Sequence, residues 1–297
     1  MADIKKISIS IIGGDNRQRE LLNILDKESD DEYGIKAYGI TPFKSLRNIK
    51  YYDELNNEFF SSDIVLLPIP YKDKSGYIPL EDFNERITAG ELLEYCHPKS
   101  SIVLGKKDRE IENIANRKGL NIVDLLELEE FAVLNAIPSA EGAIQIALQQ
   151  RNSVIHKTQC IVLGYGRIGK ILAHMLKGLG ANVSIEARKS VDLCWIEAMG
   201  YNAIHIKDLG EKINNFDIIF NTVPALILDK KILNCVRKDS LIIDLASYPG
   251  GTDFEVAKEL GLRAVLALGL PGKLFPKTAA NAIWKTLKIL LMQDNFR

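Results

Sequence analysis

The sequence predicts an α/β protein made of two doubly wound parallel-sheet (Rossmann-like) domains, with a hinge helix and a cleft between them. Strand and helix patterns alternate along the chain, which is typical of parallel sheets. Each half begins with an apolar strand and a glycine-rich turn, at 7–14 and at 160–169. The 297 residues also exceed the size of one typical core. We therefore expect a substrate-side domain at 1–138, completed by a returning C-terminal helix at 276–297, and a nucleotide-binding domain at 139–275.

In the first domain, apolar β-type runs predict strands at 7–12, 34–40, 64–69, 101–105 and 120–124. Helices are predicted after the first glycine turn, ending at about residue 27, and also near 80–95 and at 108–118. An isolated hinge helix is predicted at 139–150. Pro138 precedes it, Ser139 is suited to cap its N-terminus, and Glu141 falls in its first turn, where an acid favours the helix dipole.

The second domain shows strand patterns near 160–163, 182–187, 203–206, 217–221, 241–245 and 263–267. The last helix, 276–293, carries an apolar stripe made of Ala279, Ala282, Ile283, Leu287, Leu290 and Leu291. We expect this stripe to pack back on the first domain, because core packing explains such stripes more often than partner binding does.

Composition excludes several classes of protein. A net charge of −1 gives no electrostatic basis for nucleic-acid binding, which needs clustered Lys and Arg. The four cysteines are far apart and lack metal-ligand spacing, so we expect no metal site. There is no signal-peptide pattern, and no apolar run reaches the roughly 18 residues that span a bilayer. The chain therefore reads as a cytoplasmic enzyme without a membrane segment.

A dinucleotide-binding unit is the strongest motif. A strand leads into Gly164-Tyr165-Gly166-Arg167-Ile168-Gly169, and a helical pattern follows. The first glycine permits a tight turn, the second lets the backbone approach a pyrophosphate, and the third lets the helix lie close to the strand. The alternative is a purely structural turn, which the strand and helix contexts disfavour.

The end of the second strand indicates NADP over NAD. Ala187 occupies the position at which an acid would accept the ribose hydroxyls of NAD, and Arg188, Lys189 and Ser190 follow it. Glu186 should point away from the ribose, because side chains alternate along a strand. A register slip of one residue would reverse this inference, and a solvated strand end is the structural alternative for the two basic residues.

Ligands of parallel sheets bind at the carboxyl ends of the strands, and four segments qualify. Asn221-Thr222-Val223-Pro224 suits a loop along the ribose and nicotinamide. The segment 244–253 contains Ala246 and Ser247, which we also assign to the coenzyme. The segments 267–279 and 135–142 should lie at the rim of the same cleft. Each is also explained by ordinary turn formation.

Six segments, in order over the whole chain, carry a resemblance to a known family: 12–18 (Ile-Gly-Gly-Asp-Asn-Arg-Gln), 138–142 (Pro-Ser-Ala-Glu-Gly), 164–169 (Gly-Tyr-Gly-Arg-Ile-Gly), 244–254 (Asp-Leu-Ala-Ser-Tyr-Pro-Gly-Gly-Thr-Asp-Phe), 269–272 (Gly-Leu-Pro-Gly) and 276–279 (Pro-Lys-Thr-Ala). In these segments the chain resembles the A subunit of dipicolinate synthase. The run at 244–254 is much more specific than the glycine loop. Tyr248 departs from the arginine expected there, which puts in doubt a substrate-binding role for that side chain.

The resemblance implies an NADP-linked oxidation of a dihydro- or hydroxytetrahydro-dipicolinate to dipicolinate, together with the B subunit of dipicolinate synthase, in the mother cell of a sporulating bacterium. Such a reaction needs two carboxylates to be oriented by cations and N–H donors. We assign this task to Arg17 and Lys277. Glu141 or Asp253 is the candidate proton acceptor, Lys277 is an alternative base if it is buried, and Ser139 completes the candidate catalytic set. We expect a homo-oligomer from the frequency of such enzymes alone.

Two other classes stay open. One is an NAD(P)-dependent dehydrogenase of another small 2-hydroxy or amino acid, since this layout serves many substrates. It would usually need a His or Lys base, and no His is evident. The other is a module that senses NADP without chemistry, which the predicted substrate-facing segments disfavour.

Overall fold

The computed structural model describes residues 6–28, 32–42, 44–81 and 86–293. It divides into two compact units, of which unit 1 comprises Met1–Ala132 and Phe275–Arg297 and unit 2 comprises Val133–Leu274. Each unit contains a six-stranded sheet in which all the pairings are parallel. The prediction of an α/β fold with two doubly wound sheets is confirmed.

The sheet of unit 1 has the strand order β3-β2-β1-β4-β5-β6. Its strands are β1 (Ile7–Ile12), β2 (Tyr33–Tyr38), β3 (Ile49–Tyr52), β4 (Ile64–Leu66), β5 (Ser101–Leu104) and β6 (Asn121–Asp124), and its helices are α1 (Asn16–Glu28), α2 (Asn57–Phe60), α3 (Ala89–Tyr95) and α4 (Arg109–Lys118). Sequence patterns missed β3 altogether. In the helix predicted at 80–95, residues 80, 81 and 86–88 are not helical and residues 82–85 lie outside the described part of the chain; α3 begins only after Thr88, whose side chain caps it.

The long helix α5 (Glu129–Gln150) corrects the prediction of a hinge helix at 139–150. It starts ten residues earlier than predicted, and Pro138 lies inside it. Ser139 is consequently not an N-cap: its Oγ donates to the carbonyl of Asn135 at 2.8 Å, one turn back in the same helix. Glu141 is exposed in the middle of the helix, so its predicted place in the first turn is also wrong.

α5 also bears on the membrane prediction. By length and composition it passes the test for a membrane-crossing helix, contrary to the expectation that no stretch would. Half of its most apolar window is buried inside the protein, where Ala140, Ala143 and Ala147 belong to a core cluster. A core helix satisfies the same test, so this single helix is weak evidence of a membrane segment.

The sheet of unit 2 has the order β12-β11-β10-β7-β8-β9. Its strands are β7 (Gln159–Leu163), β8 (Asn182–Ala187), β9 (Asn202–His205), β10 (Ile218–Asn221), β11 (Leu241–Asp244) and β12 (Arg263–Leu266), and its helices are α6 (Arg167–Gly178), α7 (Ser190–Ala198), α8 (Leu209–Lys212), α9 (Lys230–Leu233), α10 (Phe254–Glu259) and α11 (Leu270–Leu274). Buried side chains form one core cluster on each face of this sheet, because neighbouring residues of a strand point to opposite faces.

The final helix, α12 (Pro276–Met292), belongs to unit 1 and packs on α1. Trp284 is its largest buried side chain, and its indole Nε1 donates to a carboxylate oxygen of Glu28 at the end of α1 over 2.6 Å. The Trp284 ring also makes an edge contact with Tyr33 at a centroid distance of 5.2 Å. The apolar stripe of this helix is thus buried within unit 1, as the sequence predicts.

Candidate nucleotide-binding site

The glycine loop between β7 and α6 has the geometry of a phosphate cradle. Gly164 has a φ of +95°, a conformation that L residues with a side chain rarely adopt. A Cβ at Gly169 would lie 2.2 Å from the carbonyl oxygen of Gly164, so only glycine allows α6 to approach the loop this closely. Gly166 is the N-cap of α6 and provides no side-chain hydrogen bond to the first turn.

Space for a ligand is present at Gly166. A Cβ placed there would meet no atom of the described residues within 4 Å. The twelve-residue helix α6 begins at the next residue, and the positive dipole end of a helix attracts phosphate. The residues of this loop therefore fit the pyrophosphate of a dinucleotide.

The glycine turn of unit 1 is filled instead. Gly13 and Gly14 also follow a central strand, but a Cβ at Gly13 would lie 2.2 Å from the carbonyl oxygen of Pro79. That same oxygen accepts a hydrogen bond from the N–H of Gly14 at 2.7 Å. The side chain of Leu80 covers Gly39 at the end of the neighbouring strand. The segment 79–80 thus occupies the place over these strand ends that a nucleotide would need, so unit 2 is the better candidate.

The end of β8 presents the three residues assigned to a 2′-phosphate. Arg188, Lys189 and Ser190 are exposed, and Ser190 begins α7, whose N-cap has no side-chain hydrogen bond. Ala187 is buried in the core cluster beneath α6 and α7. An acid in the first turn of α7, Asp192, opposes the attraction of an anion to this helix end.

Glu186 is a buried carboxylate that sequence reasoning placed only by strand alternation. It is 2% exposed and pairs in register with Leu163, on the sheet face opposite Ala187. Burial raises the pKa of Glu186 to about 7, against the opposing effects of a hydrogen bond from the backbone of Gly164 and the charge of Arg188.

This raised pKa gives a prediction for stability. Folded Glu186 holds its proton to a higher pH than the unfolded chain, so its contribution to the free energy of unfolding falls as the pH rises from about 4.5 to above 7. Glu186→Gln keeps the shape and removes the titration. We expect the variant to gain up to about 3 kcal/mol over the parent between pH 5 and pH 8, measured by urea unfolding. The exposed Glu211→Gln is the control, and a stability difference that does not change with pH would refute the assignment.

Two loops follow β10 and β11 at the carboxyl end of the same sheet. Thr222 anchors the first, because its N–H and its Oγ1 both donate to the carbonyl of Leu163, at 3.0 and 2.8 Å. Asn221 and Ala246 are buried, whereas Pro224 and Ser247 are exposed. The exposed residues are therefore accessible to a ligand, whereas the buried ones are not.

Two members of the glycine motif, Tyr165 and Ile168, have half-buried side chains. The ring of Tyr165 lies in an apolar groove of about 470 Å³ between α6 and α7, with Lys170 Nζ 5.0 Å from its centroid. Ile168 packs against the core. Of these two side chains, that of Tyr165 therefore borders the open space of the groove and that of Ile168 does not.

The four charged residues assigned to the substrate stand in different surroundings. In unit 1, Arg17 pairs with Asp15 through an Nη2–Oδ2 contact of 2.7 Å, and Lys277 is exposed in the first turn of α12. The burial that would make Lys277 a base is therefore absent. In unit 2, the carboxylate of Asp253 caps α10 by accepting from the N–H of Val256 at 3.1 Å, whereas Glu141 is exposed.

Sequence reasoning missed the buried carboxylate of Asp244, which accepts hydrogen bonds from Ala246, Gly251 and Asn221. One signal was available: an acid ends the strand 241–244, otherwise made of Leu and Ile. Buried acids are rare unless they are hydrogen-bonded. Tyr248, which departs from the family pattern, is 85% exposed.

Comparison with known proteins assigns the chain to a family. Residues 8–126 match the family model for the N-terminal domain of the dipicolinate synthase A subunit. The A subunit of dipicolinate synthase from Bacillus subtilis is 36% identical over 292 residues, which cover 97% of this chain and 96% of that protein. The crystal structure of the A chain from B. subtilis has a TM-score of 0.86 at 34% identity and covers 98% of both chains.

Two further solved structures are similar. The dipicolinate synthase A subunit from Bacillus halodurans has a TM-score of 0.88 and 32% identity, over 97% of this chain and 98% of that one. A transhydrogenase from Sinorhizobium meliloti has a TM-score of 0.69 and 15% identity over 95% and 93% of the two chains, a likeness of fold alone. With a 36% identical relative matched along nearly its whole length, the chain belongs to the family of dipicolinate synthase A subunits.

Proposed function

We propose that this chain is the component of a dipicolinate synthase that oxidises a dihydro- or hydroxytetrahydro-dipicolinate to dipicolinate with NADP. The observation that carries the proposal is full-length membership of the family of A subunits. The open phosphate cradle at Gly166 supports the coenzyme part of it. When bound, the nicotinamide would accept the hydride that leaves the dihydro ring while a base takes a ring proton, and formation of an aromatic pyridine favours the reaction. A hydroxytetrahydro acid must in addition lose one water.

NADP is proposed as the coenzyme in preference to NAD. Ala187 offers no carboxylate to the ribose hydroxyls, and Arg188, Lys189 and Ser190 supply two cations and a hydroxyl at the strand end. Both cations are exposed, so a 2′-phosphate can reach them without displacing a protein group. The backbone at Gly166 and the start of α6 would hold the pyrophosphate.

The substrate's two carboxylates need cationic partners, and Arg17 and Lys277 are proposed for them. The guanidinium of Arg17 is held by Asp15 through Nε and Nη2, which fixes its direction but uses part of its donor capacity. Lys277 is exposed and reaches a ligand without rearrangement. Arg17 and Lys277 both belong to unit 1.

Glu141 is the favoured proton acceptor. Its side chain is exposed on α5, while an oxygen of the alternative, Asp253, is committed to the cap of α10. Ser139 is buried and bonded to its own helix, so its role in this proposal is to hold the backbone beside Glu141.

Removal of either proposed substrate cation should separate substrate binding from coenzyme binding. We expect Arg17→Ala and Lys277→Ala each to raise KM for the diacid or lower kcat by about tenfold or more, as for loss of a charged hydrogen bond. The dissociation constant for NADP should not change. Arg109→Ala, at an exposed cation of α4, is the control. Unaltered kinetics in both variants would remove Arg17 and Lys277 from the site.

Association with the B subunit of dipicolinate synthase, a homo-oligomeric state and a location in the mother-cell cytoplasm complete the proposal. The family name, which denotes one component of a larger enzyme, supports the first of these. Cross-linking and sedimentation of the purified chain, alone and with the B subunit, would test the first two.

The activity is tested by mixing the purified chain with candidate diacids and NADP and following the absorbance of the reduced nicotinamide, with and without the B subunit. Reduction with dihydro- or hydroxytetrahydro-dipicolinate is the expected result. Reduction only with 2-hydroxy or amino acids would identify a different dehydrogenase. Coenzyme binding without reduction in any mixture would indicate a nucleotide sensor.

A further inference from the structure

Asn221 and Asp244 form a buried polar pair at the carboxyl end of the unit 2 sheet. They end the adjacent strands β10 and β11, lie opposite each other in the parallel register and are both 0% exposed. Nδ2 of Asn221 donates to Oδ1 of Asp244 over 3.1 Å. Such a pair is costly to bury unless its remaining polar atoms are also used.

The remaining atoms hold two loops. Oδ1 of Asn221 accepts from the N–H of Val223 at 3.2 Å, and its Nδ2 also donates to the carbonyl of Val223 at 3.3 Å. Oδ1 of Asp244 accepts from the N–H of Ala246 at 2.8 Å, and Oδ2 accepts from that of Gly251 at 3.3 Å. One pair therefore fixes the start of the loop after β10 and both ends of the loop after β11.

The two loops also touch, and the contact leaves no room for a side chain. A Cβ at Gly251 would lie 2.0 Å from Nδ2 of Asn221 and 2.5 Å from the carbonyl oxygen of Val223. The hydrogen bonds of the buried pair and the close approach of Gly251 to Asn221 and Val223 thus determine how the two loops lie relative to each other.

These loops lie on one side of the glycine loop only. In the order β12-β11-β10-β7-β8-β9, the buried pair ends β10 and β11, whereas the proposed 2′-phosphate contacts follow β8, on the other side of β7. A dinucleotide whose pyrophosphate rests over the β7 turn has its adenosine half towards β8 and its nicotinamide half towards β10 and β11. A change at the pair can therefore affect one half of the coenzyme alone.

We propose that Asp244, with Asn221, is a positioning residue that sets the two loops against the nicotinamide half of the coenzyme. The inference rests on the proposed function for the presence of a coenzyme and adds the buried pair to its site. Asp244 itself is enclosed and does not touch the ring. Its effect passes through Val223, Ala246 and Gly251 to the exposed residues Pro224 and Ser247.

The test compares whole and half coenzyme on the full chain by calorimetric titration. Asp244→Asn turns one accepting oxygen into a donor that faces other donors. We expect the dissociation constant for NADP to rise about tenfold or more, as for a lost buried charged hydrogen bond. That for adenosine 2′,5′-bisphosphate, which carries only the adenosine half, should stay within about twofold, because its contacts are not changed.

Asp208→Asn, at an exposed acid of the same unit, is the control and should alter neither constant. Gly251→Ala pushes the loops apart without changing any polar group, so it should give the same pattern and decides the question if Asp244→Asn does not fold. Equal weakening of both ligands, or of neither, would overturn the positioning role. A parent chain that binds NADP and the bisphosphate keeps the coenzyme proposal standing in that case, whereas a parent that binds neither overturns both.

Discussion

Gly166→Ala is expected to fold like the parent and to lose NADP binding by about 100-fold, because a methyl group forced against a bound pyrophosphate costs a few kcal/mol. The backbone of Gly166 is extended, with φ −83° and ψ −165°, so alanine fits there without strain. Its Cβ would point into space that no described residue occupies. The loss therefore measures the ligand that fills this space, and titration calorimetry reads it directly.

Gly178→Ala provides the matched control for this experiment. It adds the same methyl group at the other end of α6, again with no described atom within 4 Å. This variant should bind NADP like the parent, and thermal unfolding should show both variants folded. If Gly166→Ala bound NADP as tightly as Gly178→Ala does, the pyrophosphate would not lie at the start of α6.

Removing the two cations after β8 should change the choice between coenzymes. We expect Arg188→Ala/Lys189→Ala to weaken NADP by about 100-fold, at roughly tenfold for each charge-assisted hydrogen bond to phosphate. NAD, which lacks the 2′-phosphate, should bind the variant and the parent alike. The effect on NADP should shrink in high salt, because both side chains are exposed.

Lys230→Ala/Lys231→Ala is the control for the net charge, since it removes two adjacent exposed cations from α9 of the same unit. A similar loss of NADP affinity in this control would mean that the overall charge of the chain, and no local contact, attracts the phosphate. Equal losses for NADP and NAD in Arg188→Ala/Lys189→Ala would point to the adenosine ribose as the affected group.

Much of the fold was predictable, because parallel strands in both units are short apolar runs bounded by polar turns. The predicted strand 182–187 is identical to β8, and the other strands of unit 2 agree within about one residue. β3 was missed because Ile-Lys-Tyr-Tyr alternates poorly and two of its four residues are exposed. Local periodicity has no means of finding an edge strand whose order comes from pairing with β2.

The predicted starts of the helices 139–150 and 80–95 are wrong because tertiary packing outweighs the local sequence pattern. Pro138 suggested a helix start, since proline lacks the donor that a helix interior needs. In the structure both Pro138 and its neighbour Ser139 are buried, and packing outweighs the lost hydrogen bond. Likewise, the helix predicted at 80–95 starts too early, because Leu80 and the preceding Pro79 are held over the glycine turn of unit 1.

The glycines of the candidate site were predictable from the sequence, but the buried polar residues beneath its loops were not. Gly164 and Gly169 are needed by local geometry, so their spacing between a strand pattern and a helix pattern indicated the loop. The contact of Asp244 with Gly251 joins two loop ends whose approach depends on the whole sheet. The burial of Glu186 depends in the same way on strands distant in sequence, and single-residue patterns do not encode such distances.

A crystal structure of the chain with saturating NADP tests the central claim most directly. We expect a pyrophosphate within hydrogen-bond distance of the backbone at Gly166 and the first turn of α6, with the 2′-phosphate against Arg188 and the nicotinamide towards the loops after β10 and β11. Coenzyme bound at another place, or a vacant Gly166 loop at concentrations where titration shows binding, would contradict it.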